Sequence, residues 1–254
     1  MPELTIPTIL ILFAGGLLAG FVDSIAGGGG IISVPVLLSV GLPPHFALGT
    51  NKLQSSFGSF TAALNYTRSG LVKFKEVLFG ILFTAIGAAT GTLTIQQLPQ
   101  DILQYIIPVM LLAVFLFMLF SKELGMYDQA ARWKPRVFFL VFGLTLGFYD
   151  GFFGPGTGNF WMLAYVLLLG FNLKKATAYT KWVNFTSNIV ALTFFAIGGK
   201  ILVVPGLIMA VGQFSGAFLG SRLVVRSGTK FIRIFFLIVT GATIIRLVYT
   251  SFFG

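Results

Sequence analysis

An apolar segment that carries one carboxylate and then breaks in a glycine cluster occurs twice in this chain, and few folds can hold it. The first copy reads Gly20-Phe21-Val22-Asp23-Ser24-Ile25-Ala26-Gly27-Gly28-Gly29-Gly30. The second reads Gly147-Phe148-Tyr149-Asp150-Gly151-Phe152-Phe153-Gly154-Pro155-Gly156-Thr157-Gly158. In both, G-F-x-D closes an apolar run, glycines follow, and a second apolar segment begins. A charge in such surroundings must line a cavity or find a partner. Glycine lets the backbone turn sharply and approach other groups closely.

The surroundings are a membrane. Of 254 residues, 56% are hydrophobic and only 9% charged, against about 25% charged in ordinary soluble domains. Apolar runs of helix length favour membrane helices over an outer-membrane barrel, whose strands show alternating segments of about ten residues. No Lys or Arg precedes Lys52. The basic n-region of a secretory signal is therefore missing, and residues 7–26 are expected to form a retained first span. The absence of cysteine removes thiol chemistry and cysteine metal sites. The single His45 leaves no basis for a histidine metal cluster. No cofactor and no metal are expected.

A net charge of +10 invites a nucleic-acid reading, but the distribution argues against it. Most basic residues fall in four short connections: Arg68, Lys73 and Lys75; Lys122, Arg132, Lys134 and Arg136; Lys174 and Lys175; Arg222, Arg226, Lys230 and Arg233. Short basic connections orient a membrane protein with its positive side in the cytoplasm.

The segments recur in order. The first half has 7–26, a short apolar piece from Ile31 to Leu42, then 45–66, 76–95 and 102–120. The polar connection 121–136 follows, and then 137–152, a short piece near 156–170, 175–197, 202–220 and 231–250. Asp23 aligns with Asp150 and Lys52 with Lys181, giving repeats 1–128 and 129–254, an organisation common in secondary transporters. Gly87-x-x-x-Gly91 and Gly212-x-x-x-Gly216-x-x-x-Gly220 read as close helix packing.

Matched connections exchange their charge. The turn after the third segment is basic in the first half (Arg68, Lys73, Lys75) and is only Gly198-Gly199-Lys200 in the second. The turn after the fourth is Gln96–Asp101 in the first half and strongly basic in the second. The start of the third is Pro43-Pro44-His45 in one half and Lys174-Lys175 in the other. The expected fold is an all-α integral membrane protein of two inverted-topology repeats. Each has about five segments, broken at the glycine motifs, and both termini lie outside. Re-entrant short segments would instead leave four crossings per half and the charge exchange unexplained.

Charges within the spans are Asp23, Asp150, Lys52, Lys181 and Arg246. Each costs about 2.5–3.5 kcal/mol at the bilayer centre on insertion scales. Lys52 lies some seven residues, about 10 Å, into its helix, and Lys181 is equally deep from the other face if the halves are inverted. Lys52, Ser55 and Ser59 share one helix face, and Lys181, Asn184 and Asn188 share the matching one. Helix N-termini at Gly28, Gly29 and Gly30, and at Gly156, Thr157 and Gly158, would add unsatisfied N–H groups and positive dipole ends. These residues, with Asn51, compose an expected pocket for a small anion. Asp23 and Asp150 are read as helix caps, lysine partners or proton carriers. The lysines admit a second reading as a structural ion-pair set with the aspartates. Arg246 is expected to snorkel at the end of the last span.

GFVDSIAGGGG, ALGTNKLQSSFGS, GFYDGFFGPGTG and AYTKWVNFTSNIVAL resemble the two repeat signatures of the TauE/SafE family of sulfite and organosulfonate exporters, in order and over nearly the whole chain. The resemblance implies a bacterial inner-membrane permease for small sulfur-containing anions, working outward. Its matching positions are Asp23, Gly27–Gly30, Asn51, Lys52, Asp150, Gly154–Gly156, Lys181, Asn184 and Asn188. Pro155 and Thr180 depart from the first-half pattern, so the half-sites need not contribute equally.

The expected function is a secondary permease working by alternating access rather than an enzyme. An anion channel with the same pocket stays open. An intramembrane aspartyl protease using Asp23 and Asp150 fits less well, because a shared-proton dyad needs carboxylates about 3 Å apart and each aspartate has a lysine companion in its own repeat. Expected partners are the bilayer and a small anionic substrate, with homo-oligomerisation left open and no nucleic acid.

Overall fold

A computed structural model describes residues 4–103, 105–107, 109–110, 126–227 and 234. Among them eight helices have defined bounds, and there is no strand: α1 (Ile6–Ala26), α2 (Gly29–Ser39), α3 (Pro44–Arg68), α4 (Phe74–Gln97), α5 (Pro135–Phe152), α6 (Thr157–Leu169), α7 (Leu173–Ile197) and α8 (Val203–Arg226). Most of the segment expected over 102–120, the segment 231–250 apart from Ile234, with Arg246, and Lys122, Lys230 and Arg233 lie outside the described residues.

The sequence dictates the breaks. The Thr5 hydroxyl accepts from Thr8 N–H to start α1, and Gly27 ends it at φ 81°, a left-handed conformation that a side chain would resist. Gly156 takes φ 82° immediately before α6. Proline stands in the first turn of α3 and of α5, where its missing N–H costs nothing. Three helices, α1, α4 and α8, are long and apolar enough to cross a bilayer. At 11 residues, α2 is about 16 Å long, roughly half the 30 Å hydrocarbon core.

Small residues set the packing. α1 lies most extensively against α8, and α4 against α5. A Cβ on Gly16 or Gly20 would stand 2.1 Å or 2.2 Å from the carbonyl oxygens of Met209 and Gln213. Gly212 and Gly216 approach the backbone of α1 as tightly, and Gly87 and Gly91 that of α5. The glycine spacings are thus packing seams. α8 of the second half thus packs on α1 of the first, and α4 of the first half on α5 of the second.

α3 and α7 occupy the middle and run antiparallel. Asn188 reaches Ser59 at 3.5 Å, the Phe185 and Phe60 rings lie 5.0 Å apart, and Trp182 Nε1 donates to Thr67 at 2.8 Å. Numbers rise along one helix as they fall along the other. Ser59 and Asn188, the positions matched in the sequence, are thus in contact across the two halves.

The loops sort to two ends. At one, His45 contacts the Leu98 carbonyl at 3.1 Å, Gly198 abuts the Gln96 side chain, and Leu202 N–H donates to Thr50 at 3.0 Å. At the other, Lys174 Nζ donates to the carbonyls of Val225 and Ser227 at 2.7 and 3.1 Å. There too the Asp128 carboxylate accepts from Asn172 N–H at 2.6 Å, and Gln129 N–H donates to Gly170 O at 2.7 Å. The basic connections gather at this second end. The α1–α2 hairpin returns to the His45 end and the α5–α6 hairpin to the basic end.

Candidate functional site

The two hairpins enter from opposite ends and meet at their tips. A Cβ on Gly27 would lie 2.7 Å from the Gly158 carbonyl carbon, and one on Gly30 2.9 Å from Pro155 Cα. No residue larger than glycine fits this crossing without moving backbone. It explains a cluster that, from the sequence, any flexible turn would satisfy.

Two ion pairs flank the tips, each joining one half to the other. Lys52 Nζ lies 2.6 Å from Asp150 Oδ1, with side chains 1% and 5% exposed. Lys181 Nζ lies 3.0 Å from Asp23 Oδ2, with side chains 0% and 15% exposed. Each ammonium also donates to the backbone carbonyl of its aspartate. The expectation that each aspartate has its lysine companion within its own repeat is corrected here. The hairpins interleave with the central helices, so each lysine meets the aspartate of the opposite hairpin.

The aspartates differ in their second partners. Asp23 Oδ1 accepts the N–H of Gly29 at 3.4 Å, receiving the first turn of α2. Asp150 Oδ2 accepts the hydroxyl of Ser187 and makes no cap to α6, whose N-terminal position is held by Gly156. Helix capping and lysine pairing are therefore both present at Asp23, and pairing alone at Asp150.

Between the tips and the central helices lies a polar cavity of about 30 Å³, room for about two water molecules. It brings together Asn51, Lys52, Ser55, Asn184 and Asn188 with Gly30, Gly156, Thr157, Gly158 and both aspartates. Lys181 and Ser59 are buried nearby but do not line it, and Gly28 and Gly29 stand behind the tip. Lys181 acts on the cavity through Asp23, and Ser59 through Asn188.

Sequence reasoning passed over three residues. Ser33 and Gln54 both donate to Asn51 Oδ1, at 2.6 and 2.7 Å, so the amide nitrogen of Asn51 remains the donor available at the cavity. Ser187 follows Asn184 by three positions on the face that carries Lys181, and the same spacing rule would have found it. Ser33 has no such signal. It is one of two serines in a short apolar helix. The mate of Asn51, Thr180, turns its hydroxyl to Ala176 O at 2.8 Å and is absent from the lining, to which Asn51 belongs.

A buried polar cavity at the crossing of two broken-helix hairpins, inside a bundle of apolar helices, defines a membrane transport protein. The family profile described as Sulfite exporter TauE/SafE matches residues 12–247. The chain belongs to the TauE/SafE family of membrane transporters. It is 46% identical over 247 residues to a probable membrane transporter protein, ORF9, of Sinorhizobium sp, covering 97% of this chain and 95% of that one. It is 44% identical over 241 residues to the probable membrane transporter protein YfcA of Escherichia coli (strain K12), covering 95% and 90%. A probable membrane transporter protein of Haemophilus influenzae is 43% identical over 251 residues, with 97% of each chain covered. No solved structure matches.

Proposed function

We propose that this protein is a secondary permease of the bacterial inner membrane, not an enzyme. It carries a small sulfur-containing anion, sulfite or an organosulfonate, outward by alternating access between two inverted repeats. The observation that carries the reading is the cavity: its lining is amides, hydroxyls, glycine backbone, one ammonium and the two aspartates, at the contact of the two halves.

The antiparallel course of α3 and α7 and the opposite entry of the hairpins support the inversion. Collection of the basic connections at one end supports a cytoplasmic assignment for that end, with both termini outside. The four charges at the site sum to zero, so the cavity is no standing cationic trap. Binding rests on the donors of Asn51, Ser55, Asn184 and Asn188, on the N-terminal turn of α6, and on Lys52 once its carboxylate partner yields. A site this small selects compact anions.

Export needs little further driving force. Each charge gains about 2.3 kcal/mol per 100 mV of inside-negative potential, so a divalent anion gains about 4.6 kcal/mol. The protease reading has no support in the geometry, because each carboxylate is held by its own lysine across the cavity. The test is a proteoliposome counterflow panel of sulfite, sulfate, methanesulfonate and simple carboxylates. Saturable exchange of the sulfur-containing anions supports the carrier. Exchange of none of them refutes it, and non-saturable flux identifies a channel.

A further inference from the structure

We propose that Asp150 is the proton carrier of this transporter and that one proton travels with each anion, while Asp23 stays ionised throughout. The inference rests on the permease reading above and adds to it the coupling ion, the residue that carries it and the sense of coupling.

Hydrogen-bond capacity separates the two carboxylates. A carboxylate only accepts, whereas a protonated carboxyl must also donate. Asp23 faces two obligate donors, the ammonium of Lys181 and the backbone N–H of Gly29. Neither accepts a proton, so these contacts serve the ionised form alone. Asp150 is placed differently. One oxygen receives Lys52, and the other receives the hydroxyl of Ser187. A serine hydroxyl both donates and accepts.

Ser187 has somewhere else to send its proton. Its Oγ lies 3.1 Å from Val183 O and 3.0 Å from Asn184 O. When Asp150 is ionised, Ser187 donates to it. When Asp150 is protonated, the carboxyl donates to Ser187 Oγ, and the Ser187 proton turns to one of those carbonyls. Both states are fully hydrogen-bonded with no backbone movement. The site thus contains one carboxylate built for a single protonation state and one built for two.

Lys52 ties that proton to the anion. Both Lys52 and Asp150 line the cavity, whereas Lys181 does not. The charged and titratable groups around Asp150 are Lys52 on α3, Lys181 on α7, Asp23 on α1 and the neighbouring Tyr149. Tyr149 donates its hydroxyl to Pro155 O at 2.7 Å. The polar groups from α4 and α6 are threonines, Thr92 on Gly151 O and Thr157 on Gly154 O. An anion entering beside Asp150 places two negative charges on one ammonium in a cavity with room for only about two water molecules. The step balances simply: the carboxylate takes one proton from water and becomes a neutral acid, Lys52 keeps its three protons, and its charge passes to the anion. Release of the anion on the far side returns the proton there and restores the pair. A divalent anion then crosses with one net negative charge and still follows the potential outward.

The experiment uses methanesulfonate, which stays ionised near neutral pH, so any proton that moves is carried by the protein. Purified full-length protein is reconstituted in liposomes with the voltage clamped at zero, and an inside-alkaline pH gradient is imposed. Wild type accumulates methanesulfonate about tenfold per pH unit. Asp150→Asn keeps an acceptor for Lys52 and a donor for Ser187. It has no group left to carry the proton, so its accumulation ratio at steady state falls to one at every imposed pH gradient. Ser187→Ala, which removes both the donor to the carboxylate and the acceptor for the neutral acid, displaces the pH profile of exchange from that of wild type. Wild-type counterflow with an accumulation ratio of one overturns the coupling and leaves the permease standing. So does full accumulation by Asp150→Asn. Absence of wild-type counterflow overturns both.

Discussion

Lys52 and Asp150, 98 residues apart in the chain, meet at 2.6 Å in an almost fully buried contact, and Lys181 and Asp23 repeat the arrangement from the opposite halves. Neither half completes its charges alone. The pairs hold the hairpins against the central helices and set the charge of the cavity at the same time.

This reciprocity predicts the outcome of removing one partner. Lys52→Ala leaves a buried carboxylate unpaired and costs about 3–5 kcal/mol. The double variant Lys52→Ala/Asp150→Ala removes the stranded charge and recovers most of that loss. Thermal unfolding in detergent, run as a double-mutant cycle, measures both. Equal stability of the single and double variants would contradict the pairing.

The packing seams make a second prediction. A methyl group on Gly216 would stand 2.0 Å from Leu17 O, and one on Gly91 2.0 Å from Phe148 O. Gly216→Ala and Gly91→Ala should each lower stability by about 1–3 kcal/mol, seen as a lower unfolding midpoint. Gly41→Ala serves as comparison, because its Cβ would meet nothing within 4 Å and only its positive φ is strained.

The contact between matched positions is directly testable because the chain has no cysteine. Ser59→Cys/Asn188→Cys should be bridged by a short thiol-reactive reagent, giving a gel-mobility change. Ser59→Cys/Thr193→Cys should not, because residue 193 lies more than a turn further along α7. The reverse pattern would contradict the register of α7 against α3.

Sidedness follows from the charge sorting. A cysteine in place of Gln100 should react with an impermeant reagent added outside intact cells. One in place of Tyr127, which is exposed at the basic end, should react only after lysis. Labelling the other way round would reverse the orientation.

Much of this was legible in the sequence, and the particular residues explain how. The glycine breaks were readable because they interrupt runs that are otherwise uniformly apolar. The polar faces at Lys52, Ser55, Asn184 and Asn188 were readable because any polar side chain stands out at helical spacing in such a helix. What the sequence concealed was partnership. Repeat matching puts Asp23 with Lys52, but the chain crosses between halves and puts Asp23 with Lys181, which only three-dimensional packing determines. The roles of Ser33 and Gln54 were hidden for a related reason. They act by holding the Asn51 carbonyl, and a residue that works through another leaves no pattern of its own.

The most direct test of the account is anion counterflow by Lys52→Ala/Asp150→Ala in liposomes, beside wild type. The double variant removes the cavity's ammonium without stranding a charge, so it should insert and fold. Its exchange of sulfite and methanesulfonate should fall at least about a hundredfold, as expected when a buried charge-assisted contact worth about 3 kcal/mol is lost. Exchange at the wild-type rate by a correctly folded double variant would contradict the claim that the anion passes through this cavity.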